Sequence, residues 1–402
     1  MRLAYLPGDG VGYQGLESDS AVDRRRLAAL IPVWNKLGIE TVRWEPGIAC
    51  DVVYVVNLPA SLSSAEHIFR VGHSRHAVVV GIIEDFGTGR WASIANEKID
   101  DLGALRQAWL AQQATLKGRA RQARDLLAEI GVVRSNTTRL RRLVTQADAV
   151  VCTSELQAAA LRHLNVFCVG ITDCIPESDY AERDTGQAEE LLRLKRSEGS
   201  VVLAWEGTKW GLQLLELIRE PLERLNAVGS TRLRLVFVSD RERPLLFGET
   251  DNERILSTRF SLPTSFFPWS KSTIGALLRS CDVGLAPMPT HNPFYRAKAF
   301  SKPLVYMAIG LPVVASDIPS FSTLIQHGVN GFLANGPDTW FNLLKRLVED
   351  PELRCNVGNA ARRRVCEYHS VEHVADLLAG VFKEAHSMWR IWKDRPTLPF
   401  LG

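Results

Sequence analysis

Short apolar runs closed by turn-forming residues recur along the whole chain. In the first half they are Leu3 to Leu6, Asp51 to Asn57, Ala77 to Ile83, Asp148 to Ser154 and Val166 to Ile171. In the second they are Val201 to Trp205, Leu233 to Val238, Val283 to Pro287 and Pro312 to Ser316. Runs without an apolar/polar alternation are the mark of parallel strands buried on both faces. Helix-like segments lie between them, so each half is predicted to be a parallel sheet covered by helices. From Asp173 to about Gly199 the composition becomes charged and no strand is predicted, which places a domain boundary there. Val371, Val374, Leu377, Leu378, Val381, Phe382, Met388, Trp389 and Trp392 recur at steps of three and four. That spacing predicts a long terminal helix with one apolar face. Trp389 and Trp392 exceed what a small domain's own core needs, so this helix is expected to return to the first domain. The predicted division is 1–172, 173–370 and 371–402.

Within the first half, Gly8-Asp9-Gly10-Val11-Gly12 joins a strand to a helix-like segment. The glycines do not fit the GxGxxG dinucleotide fingerprint. Gly10 and Gly12 could let backbone N–H groups approach a ligand closely, or form an ordinary turn. Glu84 and Asp85 follow a buried strand, where ligand sites of α/β sheets lie. Either could orient an acceptor hydroxyl or act as a base, or Asp85 could cap a loop. Residues 117–142 hold eight basic and two acidic side chains around a leucine stripe. Such a helix can rest on an anionic membrane surface or present a solvated face.

The most informative stretch runs from Cys281 to Pro319. A buried strand ends at Pro287, a polar turn-rich segment follows, and a short helix is predicted with Ser301 near its N-cap and Pro303 in its first turn. Gly310 stands where a C′ glycine belongs. Between Thr290 and Gly310 lie Arg296, Lys298 and Lys302 and no carboxylate. Cations beside a helix N-terminus, at the carboxyl end of a parallel strand, suit a phosphate or diphosphate. The alternative is that they are surface charges. In the second half the pattern after Gly199 is again strand, Glu206-Gly207-Thr208-Lys209 loop, then a helix from about Leu212 restarted at Pro221.

Composition narrows the classes. With 402 residues, two domains are expected. A net charge of +3 gives no argument for nucleic acid. No apolar run is long enough to span a bilayer, and the first residues read as a strand start rather than a signal peptide. The seven cysteines are odd in number and include no CxxC pair, which fits reduced thiols in a cytoplasmic protein. No zinc-ligand spacing is present.

The second half also resembles a family. Trp205-x-Gly207, the run Cys281 to Pro287, Asn292-Pro293-Phe294-x-Arg296-Ala297-Lys298, Lys302, Tyr306-Met307-Ala308-x-Gly310 and His327 to Leu333 resemble family 4 retaining glycosyltransferases. The likeness is to the bacterial branch with the NPFxRAK-type loop, and it covers about residues 200 to 370. It implies a GT-B fold: two Rossmann-like βα domains facing a central cleft, with the C-terminal helix returning to the first. It implies transfer of a sugar from a nucleotide-diphosphate-sugar donor, with no cofactor and no metal, in polysaccharide or glycolipid assembly. The acceptor would be an unidentified glycan, lipid-linked or small molecule, met in the cytoplasm or at the inner membrane face. Lys302 and Arg296 would stabilise the departing diphosphate, with Glu84 and Asp85 on the acceptor side. Trp205, Gly207, Lys209, Asn292, Lys298 and Tyr306 would line the donor site, with Gly10 and Gly12 opposite. Where the family carries two glutamates eight positions apart, this chain has Ala297 and Val305. That departure motivates a second reading, a non-catalytic binding subunit. A third keeps the fold but changes the reaction to an epimerase or phosphorylase.

Overall fold

The computed structural model describes residues 1–7, 24–58, 62–71, 75–82, 138–180, 185–207, 209–229, 231–239, 259–291, 296 and 300–393. Of the sequence-based candidates, Gly10, Gly12, Glu84, Asp85, Asn292, Ala297, Lys298 and residues 117–137 lie outside these. The chain divides into two compact units, Met1–Thr172 with Val374–Gly402, and Asp173–His373.

The first unit is built on strands β1 (Arg2–Leu6), β2 (Glu40–Arg43), β3 (Val52–Val55), β4 (Ala77–Ile82), β5 (Ala149–Cys152) and β6 (Cys168–Gly170). They form one parallel sheet in the order β2-β1-β3-β4-β5-β6. Every residue of β3, β4 and β5 is buried, as their unbroken apolar runs require. The terminal helix Val371–Lys393 joins this core from Val374 onward. The Trp34 indole N–H donates to the Ala375 carbonyl at 2.9 Å, and Trp34 and Tyr54 both stack edgewise or tilted on Phe382. Trp389 is buried in the core, but Trp392 is 60% exposed, so only the first of the two terminal tryptophans serves the packing expected of both. Arg139 and Arg142, at the described end of the basic segment, both pair with Glu66, at 2.6 and 2.9 Å. The Arg139 guanidinium holds the Glu66 carboxyl below the ordinary carboxylate range.

The second unit contains β7 (Ser200–Glu206), β8 (Arg232–Ser239), β9 (Thr264–Pro268), β10 (Val283–Ala286), β11 (Val313–Ser316) and β12 (Phe332–Ala334). Its parallel sheet runs β12-β11-β10-β7-β8-β9. Alternate side chains of β7 feed two cores: Val202 and Ala204 join one, Leu203 and Trp205 the other. After β7 the chain forms the 3-10 helix Lys209–Ile218 and restarts as an α-helix at Arg219, with Pro221 in its first turn. Strands β2, β9 and β12 are additions to the sequence-based reading, and all three are sheet edges.

One device recurs in both sheets. Asp51, Asp148 and Asp282 immediately precede β3, β5 and β10, and each makes two bonds to one residue of the neighbouring strand. The Asp51 carboxylate accepts from the Arg2 N–H at 2.7 Å, and its own N–H donates to the Arg2 carbonyl at 2.9 Å. Asp148 does the same with Val78, and Asp282 with Val202. Lys195 neutralises Asp282 at 2.9 Å.

Candidate functional site

The second sheet reverses its winding between β7 and β10. Outside the carboxyl ends of such a pair, the crevice in an open α/β sheet is the usual ligand position. The chain leaves β7 at Glu206-Gly207 and β10 at Ala286-Pro287. The helix Ser301–Ala308 follows β10 and supplies the side chains that close this end.

Helical spacing puts Lys302 and Tyr306 one turn apart on the same face. Together they clamp one residue of β7. The Glu206 N–H donates to the Tyr306 hydroxyl at 2.8 Å, and the Lys302 ammonium donates to the Glu206 carbonyl. The Tyr306 hydroxyl also points to the Leu285 carbonyl at 3.4 Å, so it ties β7 to β10. Its ring lies on Gly284, where a Cβ would stand 2.5 Å from a ring carbon. Only glycine permits that approach. Burial, with the Glu206 carboxylate behind it, pushes the phenol well above its ordinary range, so the hydroxyl keeps its proton.

Among the described residues, three groups form the walls of a cradle for Lys302. Its Nζ lies 4.4 Å from the centroid of the Trp205 ring, within cation–π range. A Cβ on Gly207 would come within 2.3 Å of the same nitrogen. The third wall is the Glu206 carbonyl. A cation is thereby fixed at the first turn of a helix whose N-cap, Phe300, contributes no side-chain acceptor. That end of the helix also carries the positive pole of the backbone dipole.

These positions revise several expectations. Ser301, expected near the N-cap, is the first helical residue, next to the cap Phe300. Gly310 does terminate the helix, at φ +76°, with Leu311 N–H bonded to the Tyr306 carbonyl and Gly310 N–H to that of Met307. Trp205 and Tyr306, expected to line the donor site, are both fully buried. Arg296 is exposed. Lys209 opens its 3-10 helix. Sequence reasoning missed Gly284 and Ser316. The Ser316 hydroxyl accepts from the Met288 N–H at 2.8 Å and so ties β11 to the loop after β10. Its signal was a lone hydroxyl ending an apolar strand.

Val305 is 3% exposed and belongs to the apolar core. A glutamate there would bury a carboxylate among hydrocarbon. Val305→Glu is therefore expected to lower stability by about 2–4 kcal/mol, seen as a reduced urea midpoint. An unchanged midpoint would mean that the carboxylate reaches a polar partner.

Behind the helix start, the Phe300 ring meets His369 edge-on, with centroids 5.6 Å apart. Burial pushes this imidazole down to about 4; Arg364 and His373 add to the effect and Asp173 opposes it. The folded protein thus holds His369 neutral, while the unfolded chain protonates it near 6.5. Between those values the unfolded state binds the extra proton, so stability falls as pH drops. After allowance for partial exposure, the loss is about 1–2 kcal/mol. His369→Gln should flatten the unfolding free energy between pH 7 and 4.5 by that amount; an unaltered slope would reject the assignment.

Among the described residues no group of three or more His, Cys, Asp or Glu could hold a metal ion. None of the seven cysteines is in a disulfide. No described helix is long and apolar enough to cross a membrane.

Residues 200–350 match the family Glycosyl transferases group 1. Over 92 residues the chain is 40% identical to the O-antigen biosynthesis protein RfbC of Myxococcus xanthus, covering 23% of this chain and 7% of that protein. Over 140 residues it is 31% identical to the D-inositol 3-phosphate glycosyltransferase of Salinispora arenicola, covering 34% and 28%. The chain thus spans well under half the length of these relatives. Solved structures align over nearly the full length. Anabaena HepE in complex with UDP and glucose gives a TM-score of 0.58 at 16% identity, covering 95% of this chain and 99% of that one. Sucrose-phosphate synthase from Thermosynechococcus elongatus gives 0.55 at 14%, covering 96% and 99%. With two parallel six-stranded sheets and these neighbours, the chain has the GT-B fold, and its residues 200–350 match the glycosyl transferases group 1 family.

Proposed function

We propose that the protein is a retaining, metal-independent glycosyltransferase that moves a sugar from a nucleotide-diphosphate-sugar donor to an unidentified acceptor. The observation that carries this reading is Lys302, held at the switch point between β7 and β10 by Glu206 and Trp205. As the glycosidic bond breaks, negative charge grows on the leaving diphosphate and the sugar becomes oxocarbenium-like. A fixed ammonium at a helix N-terminus stabilises that charge without reorganising. Arg296, exposed in the segment before the helix, would add a bidentate phosphate contact. The complexes of HepE with UDP and with UDP-glucose support a nucleotide-sugar donor.

A panel of UDP-, GDP- and dTDP-sugars tests this, with nucleotide release and thermal unfolding as readouts. The matching nucleotide at a hundred times its Kd should stabilise the protein by about 2.7 kcal/mol. Failure of every nucleotide to bind would reject the reading. Binding without turnover on any acceptor would make the chain a binding subunit instead.

A further inference from the structure

We propose that Trp205 is the positioning residue for the Lys302 ammonium, acting through the face of its indole. The inference deepens the donor-site reading above and rests on it for the consequence to ligand binding.

Three observations carry it. First, Trp205 is fully buried, so it cannot line a substrate pocket. Whatever it contributes to the site passes through a neighbour. Second, that neighbour is Lys302, whose Nζ lies 4.4 Å from the ring centroid. Gly207, two residues on, keeps the slot open, because a Cβ there would strike both Nζ and the ring edge, at 2.3 and 3.0 Å. Third, among the described residues the buried Trp205 indole N–H has no hydrogen-bond partner. A buried indole N–H normally finds one, and leaving it without one is costly. Phenylalanine or leucine would fill this part of the core with no orphaned donor. Neither offers as strong a surface for a cation as indole. The residue type is therefore explained by the ring face rather than by volume or by the N–H.

The physical consequence is direct. A lysine side chain has four rotatable bonds and would otherwise sample many positions at a helix start. Ring face and Glu206 carbonyl both narrow that choice for the ammonium. When a diphosphate arrives, the charge is already in place and little rotamer freedom remains to be lost. The ring is also nonpolar and buried, so it strengthens the field of the ammonium toward the ligand by excluding water from the other side.

The test replaces Trp205 alone by indoles carrying one to four fluorines, leaving the other tryptophans natural. Fluorination weakens attraction for a cation with little change in shape. Each protein is made with Lys302 and with Lys302→Met. Two quantities are read: the denaturation midpoint without ligand, and the affinity for UDP. With Lys302 present, both should fall stepwise with each fluorine, and UDP binding to the fully fluorinated protein should be about tenfold weaker. With Lys302→Met both series should be flat. Equal slopes in the two backgrounds would show a purely structural ring, and flat series in both would show no ring–cation contact; either overturns the proposal. If UDP binds to none of the proteins, the midpoint series still decides whether the ring holds the ammonium. The donor reading is then judged separately, by the nucleotide panel.

Discussion

Lys302→Met is expected to lower kcat for sugar transfer by about 10²–10³, the usual cost of removing one preorganised donor from a developing anion. Methionine keeps an unbranched apolar side chain of similar length and removes the charge. The Glu206 carbonyl loses its ammonium partner, but this costs only about 1 kcal/mol of stability. The substitution should therefore separate function from folding. Its measurement is the rate of transfer with the donor identified by the nucleotide panel, alongside a urea titration. Because the charge matters most when the diphosphate is leaving, kcat should fall more than the affinity for free nucleotide. A variant that keeps more than a tenth of the parent rate would remove Lys302 from the mechanism. Lys302→Arg should rescue only in part. The cradle of Gly207, Trp205 and the Glu206 carbonyl fits a compact ammonium, whereas a planar guanidinium needs a wider slot.

Tyr306→Ala should be the most destabilising single change at this end of the sheet, at about 3–5 kcal/mol. The side chain is fully buried and lies on Gly284 with no room to spare. Removing it leaves a ring-shaped void that two strand ends cannot close. The Glu206 N–H and the Leu285 carbonyl also lose their shared hydroxyl. Tyr306→Phe isolates that second effect. It keeps the ring and should cost about 1–2 kcal/mol. It should also slow transfer, because the same residue whose N–H is released holds Lys302 through its carbonyl. Urea midpoints of the two variants give the split directly. If Tyr306→Phe matched the parent in both stability and rate, the hydroxyl would have no bridging role.

How much of this was legible beforehand depended on burial. The inner strands of both sheets were evident, because a strand covered on both faces must be apolar throughout. Three of the four edge strands, β2, β9 and β12, were not. Glu40–Arg43 is a charged tetrapeptide with partly exposed sides, and Phe332–Ala334 is three residues long. Neither carries a periodic signal, and both exist because a neighbouring strand offers free backbone groups. At the site, the motif identified Lys302, Gly207, Trp205 and Tyr306, which the fold brings together. Their division of labour was not legible. Tyrosine and tryptophan have polar tips and were assigned to ligand, but here one tip ties two strands and the other has no partner. Lys302 meets Glu206 through a backbone carbonyl, which every residue possesses and no sequence pattern announces.

The paired bonds of Asp51, Asp148 and Asp282 have a consequence for how the sheets assemble. In a strand apolar on both faces, a slip of one position exchanges one hydrocarbon surface for another and meets little penalty, so the alignment of neighbours is weakly specified. A carboxylate on the residue just before the strand removes that freedom. It accepts from the N–H of Arg2, Val78 or Val202 while the aspartate's own N–H donates to the same residue's carbonyl, and only one alignment allows both. Shifted by one, it would lie against a peptide already bonded elsewhere. Three short acidic side chains thus fix the register of strands that cannot fix it for themselves.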